Sequence, residues 1–184
     1  MFDHFNFLAP VYDRAMPFAR LDQMLKVLAL PADGLLLDAG GGTGRVAAAL
    51  RPYVRAVLVA DFSPGMLAQA RLKGLAAIQT PAERLPFPAD RFERVLMVDA
   101  LHHVHQQAET LAELWRVLKP GGRLVIEEPD VRTFIVKIVA VGEKLALMRS
   151  HFLSPPQIIA LFPPQARVSL ETEGYTAWVL VEKD

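Results

Sequence analysis

The densest chemical signal in the chain is Asp38-Ala39-Gly40-Gly41-Gly42-Thr43-Gly44, directly after the apolar run Leu35-Leu36-Leu37. Gly40, Gly42 and Gly44 permit a tight strand-to-helix turn and let a ligand approach the backbone closely. The helix expected next, Val46 to Leu50, offers unpaired N–H groups to a negative ligand group. Gly42-x-Gly44-x-x-Ala47 also fits the dinucleotide fingerprint with alanine in its last place. Asp38 discriminates between ligands. A carboxylate beside the loop repels a pyrophosphate. It suits a ligand that carries an ammonium next to a carboxylate, such as the methionine moiety of S-adenosyl-L-methionine.

A second acid, Asp61, ends the apolar run Val54 to Ala60. There it can accept hydrogen bonds from both ribose hydroxyls of an adenosine. Phe62 follows and can lie against the adenine. The competing reading makes Asp61 a cap for the helix that Ser63-Pro64 opens. A third cluster, His102, His103 and His105, falls where an acceptor pocket should open. No cysteine and no acidic triad accompanies it, so no metal site is expected. Two other readings stand. One is a helix start with a single histidine packed inward. The other is a general base or substrate contact at His102 or His103, whose ordinary pKa near 6.5 suits proton transfer.

These residues need a scaffold that places strand ends side by side. Short apolar runs alternate with segments of helical spacing. Leu35–Leu37, Val54–Ala60, Ala76–Thr80, Phe92–Val98 and Leu124–Ile126 read as strands. Between them come Val46–Leu50, a helix from Ser63-Pro64 to about Lys73, and Gln106–Leu118 with Leu111, Leu114, Trp115 and Leu118 on one face. Such alternation implies parallel strands with right-handed crossovers and helices on both faces. Ala166–Leu170 and Tyr175–Val181 are joined by Glu171 to Gly174 alone, which allows only an antiparallel pair. The fold class is therefore α/β: a Rossmann-like, mostly parallel, doubly wound seven-stranded sheet with one antiparallel strand near the C-terminus. Phe134 to Met148 is ambiguous, since its β-branched residues favour strand and its length favours helix.

The 184 residues suit one domain. It divides into an N-terminal helical cover (1–30), a ligand-binding core (35–128), a substrate-side helical segment (129–164) and the strand pair (165–184). Lys plus Arg and Asp plus Glu are both 20, so the net charge is zero, against the basic excess of a nucleic-acid binder. The hydrophobic content of 52% excludes a disordered chain. Cysteine is absent, so neither a disulfide framework nor a thiolate nucleophile is available. No signal peptide is recognised, and charged residues interrupt the most apolar window, so a cytoplasmic protein without membrane insertion is expected.

Over nearly its whole length the chain resembles a class I S-adenosylmethionine-dependent methyltransferase. Leu36 to Gly44 resembles that family's first motif. Val59-Ala60-Asp61-Phe62-Ser63-Pro64-Gly65-Met66-Leu67 resembles its second strand and ribose turn. Ala82-Glu83-Arg84-Leu85-Pro86-Phe87 with Phe92-Glu93-Arg94-Val95 resembles the adenine loop and fourth strand, and Leu111 to Ile126 the fifth-strand motif. Phe5-x-x-x-Ala9-x-x-Tyr12-Asp13 and Leu101-His102-His103-Val104 are similar to the ubiquinone/menaquinone-biosynthesis type. The resemblance implies S-adenosyl-L-methionine as cofactor, held by Tyr12, Asp38, Gly40, Gly42, Gly44, Asp61, Phe62, Met66, Ala82, Glu83 and Val98.

One position departs from the pattern. Pro81 stands where that group often carries an aspartate toward the adenine amine, which leaves the backbone of Ala82 and Glu83 to read the base edge. The Asn/Asp-Pro-Pro-Tyr/Phe motif of amide and adenine-amine methyltransferases is missing after the fourth strand. The implied activity is methyl transfer to a small, apolar or aromatic acceptor by a monomer or homodimer that binds no nucleic acid. The rival readings are a cofactor-binding partner protein without transfer activity and a nicotinamide-dependent oxidoreductase. Phe134–Met148, with Ile138 and Leu145, is apolar on more than one face, and two readings stand: packing in the core and a dimer contact, or a cover over an apolar acceptor.

Overall fold

The computed structural model describes residues 4–138 and 150–184. The strands are β1 (Ala32–Ala39), β2 (Val54–Asp61), β3 (Ala76–Gln79), β4 (Phe92–Val98), β5 (Leu118–Pro129), β6 (Arg167–Glu173) and β7 (Thr176–Glu182). They form one sheet in the order β3-β2-β1-β4-β5-β7-β6. The first five run parallel, and β7 pairs antiparallel with both β5 and β6. The seven-stranded sheet with a single reversed strand is the architecture expected from the sequence.

Both faces of this sheet are covered, which explains its continuous apolar runs. Successive residues on a strand point to opposite sides. Leu37, Val95, Leu124 and Val179 pack on one face with Leu111, Leu114 and Val117 of α5 (Gln107–Val117). Leu36, Leu96, Val125 and Trp178 pack on the other. There they meet α2 (Leu21–Val27) through Met24, α3 (Arg45–Leu50) through Val46, and α4 (Pro64–Leu72) through Leu67. Each fully buried leucine contributes about 1.5–3 kcal/mol relative to exposure.

Several local details differ from the sequence pattern. Ser63 precedes α4, but its hydroxyl makes no capping bond and is buried without a partner among the described residues. The open Gly65 N–H instead donates to Asn6 Oδ1 at 2.7 Å, from α1 (His4–Ala15). A cap supplied from another helix ties α1 to α4. The β6–β7 connection shrinks to Gly174-Tyr175, with Gly174 at φ +60°, because a two-residue hairpin turn needs a positive φ there. Residues 134–138 are helical, with Val136 buried and Phe134, Ile135 and Ile138 exposed. The rest of the Phe134–Met148 segment, Leu145 included, lies outside the described residues. Ser154 precedes α6 (Pro155–Ala160), and its N–H donates to Gln157 Oε1 at 2.9 Å, as a capping box requires.

Candidate functional site

The strand order reverses between β1 and β4. In open α/β sheets the crevice at such a point, outside the carboxyl ends of the strands, is where ligands bind. Three aspartates stand on this edge: Asp38 near the end of β1, Asp61 at the end of β2, and Asp99 just beyond β4.

The glycine loop shapes the crevice around Asp38. A Cβ on Gly41 would fall 2.5 Å from Asp38 Cγ, and one on Gly40, at φ +66°, would fall 2.7 Å from Ala100 Cβ. Glycine at these two places lets the loop close against the carboxylate and against the turn after β4. Asp38 is only 1% exposed, and among the described residues neither carboxylate oxygen has a hydrogen-bond partner of good geometry. Burial pushes its carboxyl up to about 7, and Asp61 adds to the effect, while Arg45 and the Ala47 amide offset part of it. Buried carboxylates are almost always paired, so a cationic group placed against this one would be strongly favoured.

Asp61 is built in more firmly. Its Oδ2 accepts from the Gly42 N–H at 2.9 Å and its Oδ1 from the Ser63 N–H at 2.8 Å. The carboxylate is thus fixed between the glycine loop and the start of α4. Its backbone carbonyl accepts from Thr80 N–H at 2.9 Å, which brings the 80–84 turn alongside, so Ala82 and Glu83 lie half-buried nearby. Phe62 is 66% exposed beside Asp61. Met66 is buried below the loop, its sulfur 3.9 Å from the Cβ position of Gly42. Val98 packs half-buried on the opposite sheet face from Met97.

Helix α1 closes over this floor. Thr43 Oγ1 donates to Asp13 Oδ1, and Lys73 Nζ bridges Asp13 Oδ2 at 2.8 Å and the Thr43 carbonyl at 2.7 Å. Burial works against the Asp13 charge, but Lys73 and Thr43 hold its carboxyl below the usual value. Tyr12, one residue earlier, lies over the site with its hydroxyl hydrogen bonded to Arg45 and with Asp99 and Asp61 close by. Burial raises the Tyr12 hydroxyl above its ordinary value, so it stays protonated. Arg45 in turn reaches Asp99 at 3.3 Å.

The acceptor side is wired by β5. Glu128 Oε1 accepts from the Ala100 and Leu101 N–H groups at 3.0 and 2.8 Å, and Oε2 meets His102 Nδ1 at 2.5 Å. The His102 ring is buried, stacked on Phe152 with centroids 4.4 Å apart and against His103 at 4.0 Å. Burial, with His102 adding to it, pushes the His103 imidazole down to about 3, which leaves it neutral and weakly basic. Glu127, on the other sheet face, is 1% exposed and holds Arg20 at 2.5 Å and the Trp178 N–H at 3.1 Å. Among the described residues, no group of three or more His, Asp or Glu is placed to hold a metal ion. Among them, too, no helix is long and apolar enough to cross a membrane.

The structure therefore gathers Tyr12, Asp38, the glycine loop, Asp61, Phe62, Met66, Ala82, Glu83 and Val98 at one end of the sheet, with His102 and His103 on its far side. Asp13 enters the sequence reading only as part of the Tyr12-Asp13 motif, and Asn6, Arg45, Asp99, Glu127 and Glu128 are not picked out there. For the last two a signal existed. Two adjacent charges inside Val125-Ile126-Glu127-Glu128, a run otherwise fit for burial, mark groups that need partners.

Residues 37–126 match the model of a methyltransferase domain family. The chain carries a class I methyltransferase domain. Over 145 residues it is 36% identical to a ubiquinone/menaquinone biosynthesis C-methyltransferase of Geobacter sulfurreducens, covering 68% of this chain and 56% of that one. Over 136 residues it is 38% identical to a demethylmenaquinone methyltransferase of Clavibacter sepedonicus, covering 67% and 56%. The matched region thus spans little more than half the length of these curated relatives. A solved S-adenosylmethionine-dependent methyltransferase of Thermotoga maritima superposes with a TM-score of 0.80 at 23% identity, over 98% of both chains. That likeness shows the shared methyltransferase fold. The strand-end aspartates and the glycine loop described above fall inside the matched region, as do the two histidines and Asp99.

Proposed function

We propose that the protein transfers the methyl group of S-adenosyl-L-methionine to a small aromatic acceptor related to a reduced quinone. The observation that carries the reading is Asp38, buried beside the glycine loop with neither oxygen in a hydrogen bond of good geometry among the described residues. A free carboxylate there repels the pyrophosphate of a nicotinamide dinucleotide and draws the ammonium of a methionine moiety. Asp61, held in place by two backbone amides, accepts from the ribose hydroxyls. Phe62 and Met66 flank the adenine, and the backbone of Ala82 and Glu83 reads its edge. Gly40, Gly42 and Gly44 give the loop its close approach, Val98 lies beneath the methionine moiety, and Tyr12 covers it. The acceptor class rests on the names of the two curated relatives.

When bound, the cofactor supplies an electrophilic methyl group on a sulfonium. The chain's own task is alignment and exclusion of water. Helix α1 does the excluding, through Asn6, Tyr12 and Asp13. Glu128 fixes the turn 100–102 and so sets where the acceptor rests. Calorimetric titration with S-adenosylhomocysteine and with NAD tests the cofactor assignment, and binding of NAD alone would overturn it. A labelled-methyl assay with a short-chain reduced demethylmenaquinone tests the transfer. Cofactor binding with no transfer to any aromatic acceptor would leave a binding protein in place of an enzyme.

A further inference from the structure

Resting on the methyltransferase reading, we propose that Asp99 is the carboxylate that meets the methyl acceptor, hydrogen bonding to its hydroxyl and taking its proton. Asp99 follows β4 at the point where the strand order reverses, across the crevice from Asp38. Its backbone stands at φ +50°, a left-handed conformation uncommon outside glycine. The fold holds it there from both sides. The Asp99 N–H donates to the Glu127 carbonyl at 2.9 Å, and the next two N–H groups donate to Glu128 Oε1. A backbone so constrained fixes where the side chain leaves the strand.

The hydrogen-bonding capacity of the edge singles out the same residue. Glu128 is spent on two backbone amides and His102. Glu127 is buried and engaged by Arg20 and Trp178. His102 is committed through Nδ1 to Glu128 and stacked on Phe152, and Ser150 Oγ sits 3.3 Å from His103 Nδ1. Asp99 Oδ2 accepts one long bond from Arg45, Oδ1 accepts none from the described residues, and a quarter of the side chain is exposed. Among the described carboxylates and imidazoles at the ends of β4 and β5, it alone combines an open oxygen with access. Arg45 of α3 and Tyr12 of α1 border it on the cofactor side, and Glu127, Glu128, His102 and Arg20 on the other.

The step balances without a further reactant. The hydroxyl proton of the acceptor passes to Asp99. The pair left on oxygen delocalises into the ring, whose neighbouring carbon forms the new bond to the methyl carbon as that carbon's bond to sulfur breaks and the breaking pair stays on sulfur. The ring carbon then loses its own hydrogen as a proton to water while the oxygen takes its proton back from Asp99, which restores the aromatic hydroquinone. The charge on Asp99 favours the proton's arrival, and burial, with Glu128 adding to it, raises its carboxyl above the usual range, closer to what a general base needs.

Asp99→Asn tests the assignment, since asparagine keeps the size and tolerates the left-handed backbone. If that variant does not fold, Asp99→Gly carries the same expectations. S-adenosylhomocysteine affinity, measured by calorimetry, should stay within about threefold of the parent protein. Turnover of short-chain reduced demethylmenaquinone should fall at least about 100-fold, and the rise of kcat with pH through the Asp99 titration should vanish. A second readout needs no turnover: anaerobic binding of 1,4-naphthohydroquinone to the S-adenosylhomocysteine complex should weaken at least about tenfold in the variant. Equal turnover and equal hydroquinone binding overturn the proposal. So does a parallel loss of S-adenosylhomocysteine affinity, which would make Asp99 a cofactor contact, and so does a parent complex that neither methylates nor binds the hydroquinone. Failure of the parent protein to bind S-adenosylhomocysteine at all would instead strike the underlying methyltransferase reading.

Discussion

Asp38 makes the cofactor reading quantitative. Its carboxyl is pushed from an ordinary 3.8 to about 7 because it is buried, and Arg45 and the Ala47 amide offset only part of that cost. That displacement corresponds to about 4 kcal/mol of penalty on the ionised form. The sign follows. Between the two values the folded chain holds a proton that the unfolded chain has lost. The contribution of Asp38 to stability is therefore full below about pH 4 and declines by about 1.4 kcal/mol per pH unit until about pH 7. An ammonium placed against the carboxylate reverses the balance and expels the proton. Binding of S-adenosylhomocysteine should then release close to one proton at about pH 6 and close to none at about pH 8, and its affinity should fall as pH drops below about 7. Calorimetric titrations in two buffers of different ionisation enthalpy count that proton directly. Asp38→Asn should abolish the release, weaken binding by about 1.5–3 kcal/mol, and raise the melting temperature of the free protein at about pH 8 by several degrees. Buffer-independent heats at about pH 6, or undiminished binding by the Asn variant, would refute the argument that Asp38 waits for a cation.

Other perturbations read separate parts of the site. Asp61→Ala should lower cofactor affinity by about 1–3 kcal/mol, and it should also lower the melting temperature, because the Gly42 and Ser63 amides lose their acceptor. Differential scanning calorimetry beside the binding titration separates the two effects. Glu128→Ala removes the acceptor for two buried amides and for His102, so unfolding in urea should show a loss of about 3 kcal/mol or more. Glu128→Gln should recover part of it. Lys73→Met breaks the contacts that pin α1 through Asp13 and Thr43. Hydrogen exchange in residues 4–15 should quicken and S-adenosylhomocysteine should dissociate faster, with little change in melting temperature, since a half-exposed ion pair contributes about 0–1 kcal/mol.

The sheet was legible in the sequence because both of its faces are buried. Leu35-Leu36-Leu37, Val57-Leu58-Val59 and Val95-Leu96-Met97-Val98 leave no polar position for a solvent face, and only a parallel sheet covered on both sides uses such runs. The glycine loop and the acids at the ends of β1 and β2 were legible for a related reason, since a strand end is a sharp event along the chain. The caps and latches were not. Asn6 caps α4 across 59 positions and Asp13 reaches Thr43 across 30, and no local pattern announces a partner so distant.

The histidines show the limit most clearly. By residue type, His102 and His103 are the natural bases, with an ordinary pKa near neutrality. The fold makes them something else: one is committed to Glu128 and to a stacked phenyl ring, and the other is held neutral by burial at about 3. Residue type states what a side chain can do in water. Whether it does so depends on how many of its hydrogen bonds the fold has already spent. By that count Glu127, Glu128 and His102 belong to the frame, while Asp38 and Asp99, one on each side of the strand-order switch, keep oxygens that no described residue fills with a hydrogen bond of good geometry. On the proposed reading these two carboxylates divide the work of a methyl transfer, one holding the donor's cationic end and the other receiving the acceptor's proton.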